Sequence, residues 1–434
     1  MPTKKILLFV LLFISISLAQ DSTYQKISQM IDSVSSPNMR NHIINLVNAG
    51  GHGSRVTLTP GNDSAAFYIK REFEKIPGLT SVTMDTFYIT DAVYPYNQKP
   101  MFNIVAEIRG KVTPATQYII GAHYDCSASR MGSTIWTSQW KTIQAPGADD
   151  NATGVAIVLE LARILSDTAN HFNPDYTIKL VAFGAEESGP AYGGHHYGSI
   201  HYAKNAKLRN DYISGMLSID MVGYNDNYNY NSIISDANSK WLGEKMVQAN
   251  QIFSTGLLLN ATPFVYGNYS DHFSFWEEGY KAICLMEFGP PWNNGPYYIA
   301  NPFYHKTSDT LGTVNMELVK RVGQLSLATF ASLTSRFTDV KEEIINPTSI
   351  YLSQNYPNPF NPSTNIKVYL PATKNIKLKV YDMLGKEVVE LYNGELQSGE
   401  HEFKFDGSQL SSGIYMYVLK TDELSISKKM LMIK

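Results

Sequence analysis

Three apolar runs in this chain, TQYIIGAHYD, YTIKLVAFGAEE and GMLSIDMVG, each run out into acids or an imidazole: His123 and Asp125, Glu186 and Glu187, and Asp220. Short apolar runs bounded by turn residues read as buried strands. Two further strands are expected at residues 103–108 and 283–286. Helical spacing lies between the strands. In residues 151–165, Val155, Val158, Leu159 and Ala162 share one face. The same period marks Ile27, Met30, Ile31 and Val34, then residues 65–76 after a Pro60-Gly61-Asn62 turn, residues 241–252 and residues 314–337. Strands alternating with helices predict an α/β fold, a doubly wound, mostly parallel sheet with flanking helices. Ligands of such sheets bind beyond the carboxyl ends of the strands. Acids and histidines at those ends therefore converge on one crevice.

A chain of 434 residues suits two or three domains. Its 44% apolar residues allow a large core, and with 17% charged residues the profile fits a secreted globular protein better than a disordered one. With a net charge of -3 and no long basic run, nucleic-acid binding is not expected. Lys4 and Lys5, an apolar stretch and Ser17-Leu18-Ala19 make residues 1–19 a secretory signal peptide. Cys126 and Cys284 are too few for a disulfide framework; one bridge or two free thiols are both compatible with the sequence. Near residue 340 the texture changes. Pro347, Pro357, Pro359 and Pro362 precede short segments of period two, such as Ile376, Leu378 and Val380. They predict a small all-β sandwich. The expected layout is a signal peptide at 1–19, a catalytic domain at 20–338, a linker at 339–349 and a β domain at 350–434.

Zinc favours imidazole nitrogen and carboxylate oxygen, and catalytic sites keep a position open for water. On that basis His123 and His305 are candidate ligands, with Asp149, Asp220 and one of the adjacent Glu186 and Glu187. The other glutamate would be a general base, and Asp125 would orient the His123 ring. Asp149 could place one oxygen on each of two ions. Each cluster alone also has a plain reading. Asp149-Asp150-Asn151 could cap a helix, and Glu186-Glu187 could be a solvated helix start. His195 and His196 are expected to face solvent or pack on the sheet, and His272 to start a helix near the site. The stretch 127–144, with Trp136 and Trp140, is expected either to overhang the pocket or to pack on the surface.

The strings GAHYD, APGADDNATGVAIVLELAR, FGAEESG, SIDMVGYN, SDHFSFWEEGYKAI and NPFYHKTSDTL resemble the M28 family of zinc metallopeptidases, the aminopeptidase group, over residues 55–335. The resemblance implies two zinc ions per chain. It gives His123 and Asp220 to one, Glu187 and His305 to the other, and Asp149 to both. It makes Glu186 the general base, has Asp125 steady His123, and implies a cis peptide between Asp149 and Asp150. Some relatives have an oxyanion-holding Tyr where this chain has Gly267, with Tyr266 and Tyr269 nearby. Residues 350–434, with YLSQNYPNPFNPSTNIKVYLP and SGIYMYVLK, resemble the type A sorting domain of the type IX secretion system, which implies a small Ig-like all-β domain. That resemblance also implies export, with release or attachment to the cell surface, and the secretion machinery as a partner.

The expectation is a secreted di-zinc exopeptidase, an aminopeptidase acting on peptide substrates by attack of metal-bound hydroxide. One alternative is an M28-like carboxypeptidase, for which Arg130 or Lys141 could hold a substrate carboxylate. Another is a glutaminyl-peptide cyclotransferase, which would use one zinc. A non-catalytic surface binding module would belong to a different class, and the presence of every candidate ligand and of Glu186 disfavours it.

Overall fold

The structure, a computed structural model, describes residues 23–335 except 226–227, 262–266, 289–293 and 295–296, and residues 350–432 except 353–354, 356–359, 384 and 423. The expected signal peptide (1–19) and linker (339–349) lie outside the described residues. The chain divides into two compact units, Met1–Asp339 and Val340–Lys434.

In the first unit an eight-stranded sheet runs in the order β1-β2-β4-β3-β5-β8-β6-β7. Its strands are β1 (Ser81–Tyr88), β2 (Pro100–Ile108), β3 (Thr113–His123), β4 (Tyr176–Phe183), β5 (Tyr212–Asp220), β6 (Tyr230–Ser235), β7 (Leu258–Asn260) and β8 (Ala282–Met286). The centre, β4-β3-β5-β8, is parallel. Antiparallel pairs flank it. The central strands are buried almost throughout, as strands covered on both faces must be.

Helices cover both faces. On one side lie α1 (23–32), α2 (Ser36–Val47), α3 (Pro60–Glu74), α5 (Gly154–Leu165), α7 (Lys240–Phe253) and α9 (Met316–Thr334). On the other lie α6 (Tyr197–Leu208) and α8 (His272–Glu277), with Tyr202, Ala203 and Phe275 in the contact. The short α4 (Ser133–Gln139) belongs to a separate cluster. Apart from Arg163, α5 is buried all round, because it lies between the sheet and helices α2 and α9. Helix α3 begins earlier than its apolar period. Thr59 accepts from Asn62 N and Pro60 occupies the first turn, so the expected Pro60-Gly61-Asn62 turn is helical. Among the described residues no helix is long and apolar enough to cross a membrane.

The second unit has two antiparallel sheets. One is β13-β10-β9 and the other β12-β11-β14-β15, from β9 (Tyr351–Leu352), β10 (Ser363–Leu370), β11 (Lys374–Asp382), β12 (Glu387–Leu396), β13 (Gly399–Asp406), β14 (Gly413–Lys420) and β15 (Ser425–Met432). Alternating residues such as Ile366, Val368, Ile376, Leu378 and Val380 fill its core.

Candidate metal centre

The parallel register makes the strand ends level. His123 pairs with Phe183, and Asp220 with Met286. The chain then turns sharply. Ala185 and Met221, just past the ends of β4 and β5, and His305 have left-handed backbones, φ +55°, +52° and +57°. Such conformations cost a non-glycine residue about 1 kcal/mol or more and cluster at functional sites. They aim Glu186, Asp220 and His305 into one buried space.

Two triads of potential ligands meet there. His123, Asp150 and Asp220 form one; Asp150, Glu187 and His305 form the other, with the ligand atoms of each set within 4.8 Å of one another. His123 Nε2 is 3.3 Å from both Asp150 Oδ1 and Asp220 Oδ1. His305 Nε2 is 2.7 Å from Glu187 Oε1 and 3.0 Å from Asp150 Oδ2. Imidazole nitrogen and carboxylate oxygen, held together away from water, are the donors zinc takes.

The shared residue is Asp150, one position beyond the Asp149 expected from sequence. Asp149 is occupied elsewhere. Its oxygens accept from Gly223 N at 2.7 Å and Asn301 Nδ2 at 3.0 Å. The turn 148–153 is pinned by Asp309, whose carboxylate accepts from Asp149 N and Asp150 N at 2.9 and 3.1 Å. Asn151 ties the turn to β5 and α5 through Ile219 O and Gly154 N. With Asp149 turned towards Gly223, Asp150 is the acid that faces the two histidines. The cis peptide also lies one position on, at Asp150–Asn151.

Glu186 is buried beside the first triad. Asp125 sits behind it, accepting from Glu186 N and Glu187 N at 3.0 Å each and from Thr57 Oγ1 at 2.8 Å. Its approach to His123 Nδ1 is longer, 3.6 Å. Asp125 thus fixes the Glu186–Glu187 turn as well as facing the imidazole. Buried Arg55 clamps the neighbouring loops by donating to the carbonyls of Tyr124, Pro146 and Gly147.

The metal-free charge balance is strained. Burial pushes Glu187 up to about 8, although His305 opposes it, and raises Glu186 well above the carboxylate range. Burial works against protonating His305, but Glu187 and Asp150 overcome it and lift the ring to about 10. His123 is likewise raised by Asp220, Glu186 and its contacts with Asp125 and Asp150, against burial. The surrounding acids thus pull both imidazoles towards their protonated forms. A bound cation would supply the counter-charge instead, so the residues fit a metal.

The other expectations divide. Cys126 and Cys284 are buried free thiols. Trp136 and Trp140 pack with Val56, Leu58 and Tyr192 in a core cluster, and Lys141 lies over the Trp140 ring. Arg130 is beside the site, its guanidinium 4.4 Å from the Tyr304 ring, whose centroid lies 3.8 Å from that of the His305 ring at a tilt of 32°. His272 does start α8. His196 neither faces solvent nor merely packs on the sheet: it is buried with Nε2 2.8 Å from Glu186 Oε1. Tyr266 lies outside the described residues, and Tyr269 is half-buried.

The model of peptidase family M28 matches residues 103–330, and that of a secretion system C-terminal sorting domain matches residues 354–434. A probable zinc metalloprotease of Leptosphaeria maculans is 26% identical over 74% of this chain and 79% of its own. The aminopeptidase YwaD of Bacillus subtilis is 25% identical over 51% of this chain and 46% of its own. In fold the first unit is similar to the Legionella pneumophila aminopeptidase LapA, with a TM-score of 0.55 and 20% identity over 72% of this chain and 75% of that one. It is equally similar to an Acidobacteriales bacterium glutaminyl cyclase, with a TM-score of 0.54 and 22% identity over 69% and 94%. The C-terminal unit is a type IX sorting domain, which directs the chain to the cell surface or beyond. The chain belongs to peptidase family M28 and is a zinc metallopeptidase.

Proposed function

We propose that the protein is a two-zinc aminopeptidase. One observation carries this reading: Asp150 turns one oxygen to His123 and the other to His305, the arrangement of a carboxylate shared by two ions. His123 and Asp220 would complete the first site, and Glu187 and His305 the second. When bound, zinc polarises the scissile carbonyl and lowers the pKa of the attacking water.

The protein's own groups do the rest. Glu186 takes the proton from the attacking water and passes it to the departing amine. Asp125 keeps that glutamate in place through its backbone N–H and steadies His123. Asp125, Asp150, Glu186, Glu187 and Asp220 are five buried carboxylates. Against two divalent ions they leave negative charge in excess, which attracts a substrate's α-ammonium and favours attack at the amino terminus.

Glu186→Gln is expected to keep its zinc and to lose hydrolysis of amino-acid amides by at least about 10²-fold. Undiminished turnover would remove Glu186 as the base. Metal content separates the cyclase reading, since one zinc at saturation would favour it over two. Products released from a peptide library separate amino- from carboxy-terminal attack. If Arg130 held a substrate carboxylate, C-terminal residues would appear first.

A further inference from the structure

We infer that His196 is a positioning residue for Glu186, holding one carboxylate oxygen so that the other is presented to the reacting water. The inference rests on the reading of Glu186 as the base.

The argument begins with the backbone. After Glu187 the chain loops out and returns alongside β4's extension. His196 N donates to Glu186 O at 2.8 Å, Tyr197 N to Ala185 O at 2.9 Å and Gly198 N to Gly184 O at 3.0 Å. Gly198 is required by this approach, because a Cβ there would lie 2.3 Å from Gly184 O. His196 itself adopts φ +60°, an uncommon conformation for a residue with a side chain. That conformation points the ring back at the residue to which its backbone is already bonded. Glu186 is therefore gripped by His196 at its carbonyl and its carboxylate, and by Asp125 at its N–H.

The proton inventory fixes the direction of the bond. His196 is 3% exposed, and burial lowers its pKa, so the ring is neutral and carries one N–H. A general base must be ionised when it takes the water's proton, so a hydrogen shared across the 2.8 Å contact belongs to His196 Nε2. His195 Nδ1 lies 3.1 Å from the same nitrogen, and burial and the neighbouring His196 lower the His195 pKa. Glu186 Oε2 is left as the oxygen able to take a proton. A carboxylate with two equivalent oxygens and a free torsion is thereby reduced to one acceptor in one place. A base is effective only within hydrogen-bond reach of its proton, so its orientation bears on kcat more than on substrate affinity.

Two experiments on the full-length protein test this. In the zinc-loaded protein, where Glu186 is the ionised base, ¹⁵N NMR should show His196 as the Nε2–H tautomer, with a signal that moves in Glu186→Gln. An Nδ1–H tautomer would overturn the inference. In the zinc-loaded enzyme, His196→Ala should lower kcat about 10- to 100-fold, the worth of a hydrogen bond to a charged group. KM and zinc content should stay unchanged, and His196→Gln, whose amide N–H can reach the same oxygen, should recover most of the loss. Equal kcat in all three proteins, or a loss that Gln does not relieve, would overturn it. Glu186→Gln measured alongside separates the two readings. If that variant is inactive while His196→Ala turns over normally, Glu186 stands as the base and the role of His196 falls. If Glu186→Gln is itself active, the base assignment falls first.

Discussion

Glu160, in the middle of α5, and Asp150, in the turn that leads into it, are both buried, yet their surroundings differ in kind. Each oxygen of Glu160 has fixed N–H donors. Oε1 accepts from Ser35 N and Arg163 Nη2 at 2.7 Å each; Oε2 accepts from Arg163 Nε at 2.9 Å and Asn38 Nδ2 at 3.4 Å. The guanidinium fork is one helical turn away and matches the carboxylate in shape. Asp150 has only two imidazoles, and it shares them with Asp220 and Glu187. The fold supplies a permanent cation where a buried acid serves structure. At the strand ends it withholds one and gathers more acids, which leaves a place for cations from outside.

Several variants would break or sharpen this contrast. The largest effect is expected from Asp150→Asn. Its apparent zinc affinity should fall by more than the roughly 100-fold typical of outer partners, and both ions should be lost together. Two tightly held zinc ions in that variant would end the bridging assignment. Asp149→Asn and Asp309→Asn disturb only the support of the turn and should cost about 10- to 100-fold in zinc affinity or activity. If Asp149→Asn were more damaging than Asp150→Asn, the one-residue displacement of the bridge would be wrong.

A pH series sharpens the same contrast. His305 is raised to about 10 in the metal-free site, so it is protonated at neutral pH and zinc must displace its proton. Zinc uptake should release protons below pH 10, and apparent affinity should fall about tenfold per pH unit for each proton displaced. Uptake without proton release at pH 7 would contradict the protonated state. The smallest effect belongs to the self-contained acid. Glu160→Gln should lower stability by about 1–3 kcal/mol, read as a shift in denaturant midpoint, with zinc content unchanged. Lost zinc there would show that the two acids are not independent.

The frame of the first unit was legible because its strands are apolar runs with definite ends. The expected strand at 176–183 coincides with β4, and 283–286 falls within β8. β1, β6 and α6 gave weaker signals. β1 is half-exposed with polar residues along it, and α6 begins at a left-handed histidine with no side-chain cap. In the second unit, β10 and β12 were not expected, although both belong to the sandwich.

At the site, residues at or just beyond strand ends could be placed because a level register carries them to one crevice. Asp149 and Asp150 could not be told apart. They lie in an irregular turn with neither helical nor strand period, and the choice is made by Asp309, Gly223 and Asn301 far along the chain. His196 left no local trace for the same reason. Its contact depends on a left-handed backbone and a loop that returns ten residues later.

The segment from Asn301 to Asp309 couples the order of a loop to metal binding. It supplies His305, pins Asp149 through Asn301 and fixes the Asp150 turn through Asp309. Seating this loop and assembling the metal-binding residues are therefore one equilibrium. The free energy needed to order the loop lowers the apparent affinity for zinc, and bound zinc in turn shields the loop from proteolytic nicking.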